Sequence, residues 1–250
     1  MAVMIVTGAS SGLGKEFALQ LSRKYARMNE IWLIARRKEL LLELEKDIKI
    51  PVRIFAMDLT KDEDMQEFAA YLESEKPDIK LLVNCAGYGK IGRFDELDLK
   101  EQCGMIDINC TALTAMTGMC LPYITEHSRI INVASAAAFS PQPDFAVYAA
   151  TKAYVLNFSR ALNAELKQRK ITVTAVCPGP VDTDFFTIAG EKSNAVFKKQ
   201  SRADASRVVE KAIKDAALGD DVSIYGAVMK MAKTATKVLP QKLIINMFNK

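Results

Sequence analysis

The chain predicts a single α/β domain built on a doubly wound parallel sheet, and two observations carry that reading. Short β-rich apolar runs alternate with longer helical patterns along all 250 residues. No linker, repeat or low-complexity stretch interrupts the alternation, and with half its residues apolar the chain can bury one large core.

The first run, AVMIV (2–6), has no basic segment ahead of it and enters a glycine turn directly, so it reads as a strand and not as a signal peptide. IWLIA (31–35), VRIFAM (52–57), KLLVN (80–84), RIINVAS (129–135) and TVTAVC (172–177) supply further strands, with VSIY (222–225) as a seventh. Helical periodicity with charged outer faces fills 13–27, 38–48, 61–75, 98–126, 146–168 and 204–218. This alternation implies βαβ units and a parallel sheet with helices on both faces. The leucine-rich ELLLELEK (39–46) spans barely one heptad and reads as a core-facing helix, not a partner zipper.

Composition narrows the function classes. No segment approaches the roughly 18 apolar residues of a membrane-spanning helix, and a cytoplasmic location is expected. Five cysteines (Cys85, Cys103, Cys110, Cys120, Cys177) form no CxxC pair and read as buried free thiols of a reducing compartment. The single histidine, His127, makes a metal site unexpected and reads as a surface residue between a helix and a strand. The net charge of +4 is concentrated in residues 222–250, which hold five lysines and no acid. No basic patch with interleaved aromatics points to nucleic acid.

In a doubly wound sheet, ligands lie beyond the carboxyl ends of the strands. After the first strand comes TGASSGLG, whose Gly8, Gly12 and Gly14 permit a tight turn and a close approach of backbone to a pyrophosphate. Ser10, Ser11 and Leu13 belong to the same turn. A triphosphate-binding loop does not fit: five residues separate Gly8 from Gly14, and Glu16 stands where a magnesium-binding hydroxyl is needed. After the second strand, where a NAD site places an acid, stand Arg36, Arg37 and Lys38. These cations favour a 2′-phosphate, so the expected cofactor is NADP(H), with Arg36 the first candidate and Arg37 the second. Asp58 and Leu59 after the third strand, and Asn84, Ala86 and Gly87 after the fourth, fall where adenine and ribose would lie. Asp58 could equally cap the helix opening at Lys61.

With these residues in place the chain resembles the short-chain dehydrogenase/reductase family over roughly residues 1–185. TGASSGLG fits the family's TGxxxGxG turn, and Asn84-Cys85-Ala86-Gly87 resembles its NNAG with Cys85 in place of the second Asn. Asn109, Ser135, the YxxxK of Tyr148 and Lys152, and a PGxxxT segment at Pro178, Gly179 and Thr183 follow in the family's order. The resemblance implies a Rossmann-like three-layer domain and nicotinamide-dependent redox chemistry at a carbonyl or alcohol. It also implies Lys152 on the nicotinamide ribose and a water-bridged relay from Asn109 to Lys152. The Cys85 departure puts one strand-stabilising hydrogen bond in doubt.

Carbonyl reduction needs a proton donor, and an unperturbed phenol titrates near ~10. Lys152, one turn from Tyr148 on the same helix face, is expected to lower that value together with an oxidised nicotinamide nearby. Tyr148 is therefore the expected general acid, with Ser135 orienting the substrate oxygen and Lys152 and Asn109 tuning and recharging the acid. Tyr154, on another side of the helix, is assigned to packing. Pro178, Gly179, Val181 and Thr183 complete the expected cofactor contacts, Thr183 at the nicotinamide carboxamide. Residues 180–200 read as a substrate lid in which Phe185, Phe186 and Ile188 offer apolar surface, and Phe139, Phe145 and Tyr88 are further candidate walls.

The expected activity is NADPH-dependent interconversion of a carbonyl and an alcohol on a lipophilic small molecule, by a homodimer or homotetramer. The alternatives are a 3-oxoacyl thioester reductase, or a nicotinamide-binding regulator that does not turn over. Residues 226–250 read as a basic amphipathic helical tail with two open destinations: packing on the body or a subunit, or a peripheral membrane contact through 240–250.

Overall fold

The computed structural model describes residues 1–190 and 202–248. Seven strands form one parallel sheet: β1 (Ala2–Thr7), β2 (Glu30–Ala35), β3 (Val52–Ala56), β4 (Asp78–Asn84), β5 (Ile124–Val133), β6 (Thr172–Val176) and β7 (Val222–Ser223). Their spatial order is β3-β2-β1-β4-β5-β6-β7. The chain thus winds outward from β1 to one edge, returns to β4 and winds to the other. That reversal puts a crevice at the carboxyl ends of β1 and β4.

The strands read as continuous apolar runs because both faces of the sheet are covered. Met4 and Val6 face one core, shared with Phe17 and Leu21 of α1 (Gly12–Lys24), Leu41 and Leu44 of α2 (Lys38–Glu45) and Val209 and Ile213 of α8 (Ala205–Leu218). Val3 and Ile5 face the opposite core. There they meet Phe68 and Leu72 of α3 (Asp62–Glu75), Met116 of α5 (Leu113–Cys120) and Leu162 of α6 (Ala146–Glu165). The remaining helices are α4 (Leu99–Ile106), α7 (Phe185–Ala189), α9 (Ala227–Val238) and α10 (Gln241–Phe248).

The expected helix over 98–126 is the main departure. α4 runs into a π turn at Asp107–Ala112, then α5, then a short 3-10 turn at Leu121–Tyr123. β5 begins five residues earlier than expected, at Ile124 instead of Arg129, and carries a bulge. Ile79 pairs Ile124 but Leu81 pairs Arg129, and His127 inside the bulge adopts φ 62°. His127 is exposed as expected, but it lies within the strand and not ahead of it. β7 is two residues long, and Gly226 at φ 85° turns the chain into α9. The cysteines are unpaired; Cys120 and Cys177 are buried, whereas Cys103 on α4 is exposed, contrary to expectation. Among the described residues, no helix is long and apolar enough to cross a membrane.

Candidate active site

A cleft of about 1480 Å³ opens at the carboxyl ends of the strands, with the β1–α1 turn as its floor. The turn is close to its steric limit. A Cβ on Gly14 would stand 2.2 Å from the Gly8 carbonyl oxygen, and one on Gly8, which has φ +67°, would stand 2.8 Å from the Ala86 nitrogen. Backbone thereby fills the space side chains would take, and the first N–H groups of α1 face the cleft with no acidic residue in that turn. Ser10, Ser11, Gly12 and Leu13 line the same floor.

The two arginines divide their work. Arg37 Nη2 donates to Ser10 Oγ at 3.0 Å and to Ser11 Oγ at 2.7 Å, holding its guanidinium over the turn. Arg36 is largely exposed and lies 3.8 Å from the Asp58 carboxylate. Asp58 does not cap α3. Its Oδ1 instead accepts from Thr60 N and Thr60 Oγ1, closing an Asx turn, and these bonds with Arg36 hold the carboxyl below its usual range despite burial. Cations beside serine hydroxyls and a helix N-terminus fit a ligand carrying both a pyrophosphate and a further phosphate. Leu59, Ala86 and Gly87 line the cleft.

Asn84 does not join it. Its side chain is buried and donates to Thr117 Oγ1 (3.0 Å) and Asn132 Oδ1 (2.9 Å), tying β4 to α5 and β5. Thr7 Oγ1 accepts from both Cys85 N (3.0 Å) and Ala86 N (3.1 Å) and so clamps the ends of β1 and β4 together, through backbone groups that do not depend on the side chain at Cys85.

Ser135, Tyr148 and Lys152 meet on one wall of the cleft. Ser135 follows β5 and caps a single 3-10 turn at Ala136–Phe139, its Oγ accepting from Ala137 N. Tyr148 and Lys152 project from the first turns of α6, both buried. Lys152 Nζ donates to Val133 O at 2.8 Å and lies 5.7 Å from the Tyr148 ring centroid. Phe145 stacks on the Tyr148 ring at 4.2 Å, and Phe185 tilts against it at 5.4 Å.

Without a nicotinamide beside it, this enclosure sets the balance at both groups. Burial pushes the Tyr148 phenol up to about 12, with the Ser135 hydrogen bond opposing the rise, instead of Lys152 pulling the phenol down. The same burial lowers Lys152 itself to about 8. Spacing brought the two groups together as expected; desolvation decides their protonation.

Asn109 sits in the π turn and is fully enclosed. Its Oδ1 accepts from Tyr88 N (3.1 Å), while Nδ2 donates to Tyr88 O (2.9 Å) and to Thr151 Oγ1 (3.0 Å). The amide therefore pins the strand-four loop to α6 instead of bonding Lys152 directly. Gly87 separates the two: a Cβ there would lie 2.4 Å from Asn109 Oδ1 and 3.6 Å from Lys152 Nζ.

After β6, Pro178 O accepts from Ala136 N, and Thr183 stands over the glycine turn, its Cβ 3.5 Å from where a Gly12 Cβ would be. Val181 pairs with Ala203 in an isolated parallel bridge. Phe185 and Phe186 sit on α7, which is tied down by Ile91 N donating to Ala189 O. Residues 191–200 of the expected lid lie outside the described residues. Tyr88, Phe139 and Phe145 line the cleft, as does Ile188. The residues that sequence reasoning missed come from the tail. Met229, Ala232, Thr236, Leu239 and Ile244 also line the cleft. The signal for them was the apolar residues of 226–250, which give no register against the body.

The family profile "short chain dehydrogenase" matches residues 2–194. An uncharacterized oxidoreductase of Staphylococcus epidermidis is 31% identical over 207 residues, covering 81% of this chain and 88% of that protein. An 11-beta-hydroxysteroid dehydrogenase of Pinus massoniana is 32% identical over 211 residues, 80% of this chain and 57% of the relative. A short-chain dehydrogenase from Sphingobium yanoikuyae, solved in complex with NADPH, superposes with a TM-score of 0.80 at 27% identity, covering 98% of this chain and 95% of that one. With a parallel sheet of this order, a glycine turn at its switch point and a profile match over most of its length, the chain belongs to the short-chain dehydrogenase family.

Proposed function

We propose that the chain is an NADP(H)-dependent oxidoreductase that interconverts a carbonyl and an alcohol on a lipophilic small molecule. The observation that carries the reading is the meeting of Ser135, Tyr148 and Lys152 on one wall of a cleft floored by the glycine turn. Arg36, Arg37 and Ser10 support NADP(H) over NAD(H), since two cations beside a hydroxyl suit a 2′-phosphate. The aromatic wall of Phe139, Phe145 and Phe185 and the apolar roof of Met229, Leu239 and Ile244 support a lipophilic substrate.

When bound, NADP(H) supplies or accepts the hydride at the carbonyl carbon. The chain's own residues handle the proton. Burial keeps Tyr148 a neutral phenol at physiological pH, the form that donates to a carbonyl oxygen gaining negative charge. The Ser135 hydroxyl, already bonded to that phenol, donates to the same oxygen and fixes its position. The resulting phenolate is stabilised by the Lys152 ammonium one turn along α6. Lys152 holds its proton less tightly than an exposed lysine and so helps restore the phenol. Asn109 is a positioning residue: it holds Tyr88, and through it the loop against which Lys152 packs.

Tyr148→Phe is expected to bind NADPH with unchanged affinity by fluorescence titration, while turnover of a ketone panel falls about 10²- to 10⁴-fold. A variant that reduces ketones at the wild-type rate would remove Tyr148 from this role.

A further inference from the structure

The tail helices roof the cleft with only part of their apolar surface. At about 100° per residue, Met229, Ala232, Ala235 and Thr236 occupy an arc of about 120° on α9 that lines the cleft. Met229 presses on Gly179, where a Cβ would stand 2.7 Å from its sulfur. Val228, Met231 and Val238 fall in an arc of about 80° that overlaps its edge at Ala235. They are 66%, 63% and 77% exposed, which leaves half of a continuous apolar face uncovered. Leu243 on α10 and Leu239 between the helices extend this exposed apolar surface. Lys230 and Lys237 flank it roughly 100° around α9 from Met231, and Lys242 is exposed on α10.

We propose that this face of α9 and α10 seats on an anionic lipid surface, with the apolar arc in the headgroup boundary and the lysines on the lipid phosphates. An uncovered apolar arc flanked by cations, in a segment whose residues 222–250 hold no acid, is the chemistry such a surface recognises. A second copy of the chain is the poorer occupant. An isologous contact would bring two lysine-bearing patches together with no carboxylate from the segment to offset them. The surface adjoins the cleft through Leu239, which is exposed and also lines it. The docked protein therefore holds its substrate side next to the lipid, a consequence that rests on the lipophilic-substrate reading.

The test is flotation of the full chain with vesicles of phosphatidylcholine alone and of phosphatidylcholine with phosphatidylglycerol, without substrate. Wild type is expected to float with the anionic vesicles only, and less as salt is raised. Lys230→Ala with Lys237→Ala should lower partitioning roughly 30-fold, and Met231→Asp with Val238→Asp should abolish it. None of these four side chains lines the cleft, so each variant should keep its NADPH-induced thermal shift and its turnover of a water-soluble ketone, which shows that it is folded. The proposal is overturned if wild type binds neither vesicle, if it binds neutral vesicles equally, or if binding survives both variant pairs. It is also overturned if light scattering shows that Met231→Asp with Val238→Asp converts an oligomer to a monomer. Vesicle binding needs no turnover, so its failure leaves the redox reading standing, and a failed Tyr148→Phe test leaves the lipid contact standing.

Discussion

Lys152 is a charged side chain largely withdrawn from water at the cleft wall, and its cost has a definite pH signature. Burial lowers its pKa to about 8, whereas a lysine in an unfolded chain titrates near ~10.4. Between those values the unfolded chain binds a proton that the native chain has released, so stability from this group rises with pH. Below about pH 8 the desolvated ammonium opposes folding in full. Above about pH 10 Tyr148 reverses the trend, because its phenol, pushed up to about 12, stays protonated in the native chain while the unfolded one ionises. Lys152→Met should therefore raise stability by about 3 kcal/mol at neutral pH, with the gain shrinking towards pH 10. Thermal unfolding of cofactor-free protein at the two pH values measures it, and a gain independent of pH would contradict the assignment. Sequence spacing made the Tyr148–Lys152 pair legible. It did not reveal the protonation states, because those depend on burial, to which the distant Phe185 contributes beside the neighbouring Phe145.

Among the elements, the π turn at Asp107–Ala112 does what a regular helix would not. Inserting the wider turn rotates Asn109 inward, where one amide meets both backbone groups of Tyr88 and the Thr151 hydroxyl. Asn109→Ala orphans the Tyr88 N–H and C=O, at roughly 1–3 kcal/mol for each group left buried without a partner. The expected result is a fall in melting temperature and in turnover with NADPH still bound. Asn109→Asp, which keeps the acceptor and loses the donor, should fall between. Calorimetry and NADPH titration on both variants check this, and equal stability of Asn109→Ala and wild type would refute it. The strands and the glycine turn were readable because their signals are local: apolar runs, and three glycines at a strand end. The π turn was not, since its one trace in the sequence is a poor helix former, Asn109, inside a helical stretch. The bulge in β5 was hidden for a similar reason: ITEHS carries no apolar period to mark it as strand.

For the molecule as a whole, the body and the tail contribute unequally to stability and to the site. The two main cores lie on either side of the sheet and contain no residue of α9 or α10. α9 has no fully buried side chain, and α10 contributes Ile244. The tail's amphipathic pattern was legible in the sequence; its seat was not, because it depends on Gly179 admitting Met229, a contact between distant segments. Yet Met229, Ala232, Thr236, Leu239 and Ile244 line the cleft together with the glycine turn, Arg36 and Arg37, and on the lipophilic-substrate proposal they would cover the substrate. Ending the chain after Gly226 should therefore leave the sheet folded and NADPH affinity near the wild-type value. It should raise KM for large apolar ketones, because apolar contacts at about 25 cal/mol per Å² are lost from the roof. Small ketones, which reach only Ser135 and Tyr148, should be turned over with little change in KM. Steady-state kinetics across a ketone size series, beside an NADPH titration, measure both effects. A truncated chain that loses cofactor binding would show that the tail supports the body, and one with KM unchanged across the series would show that it does not roof the substrate.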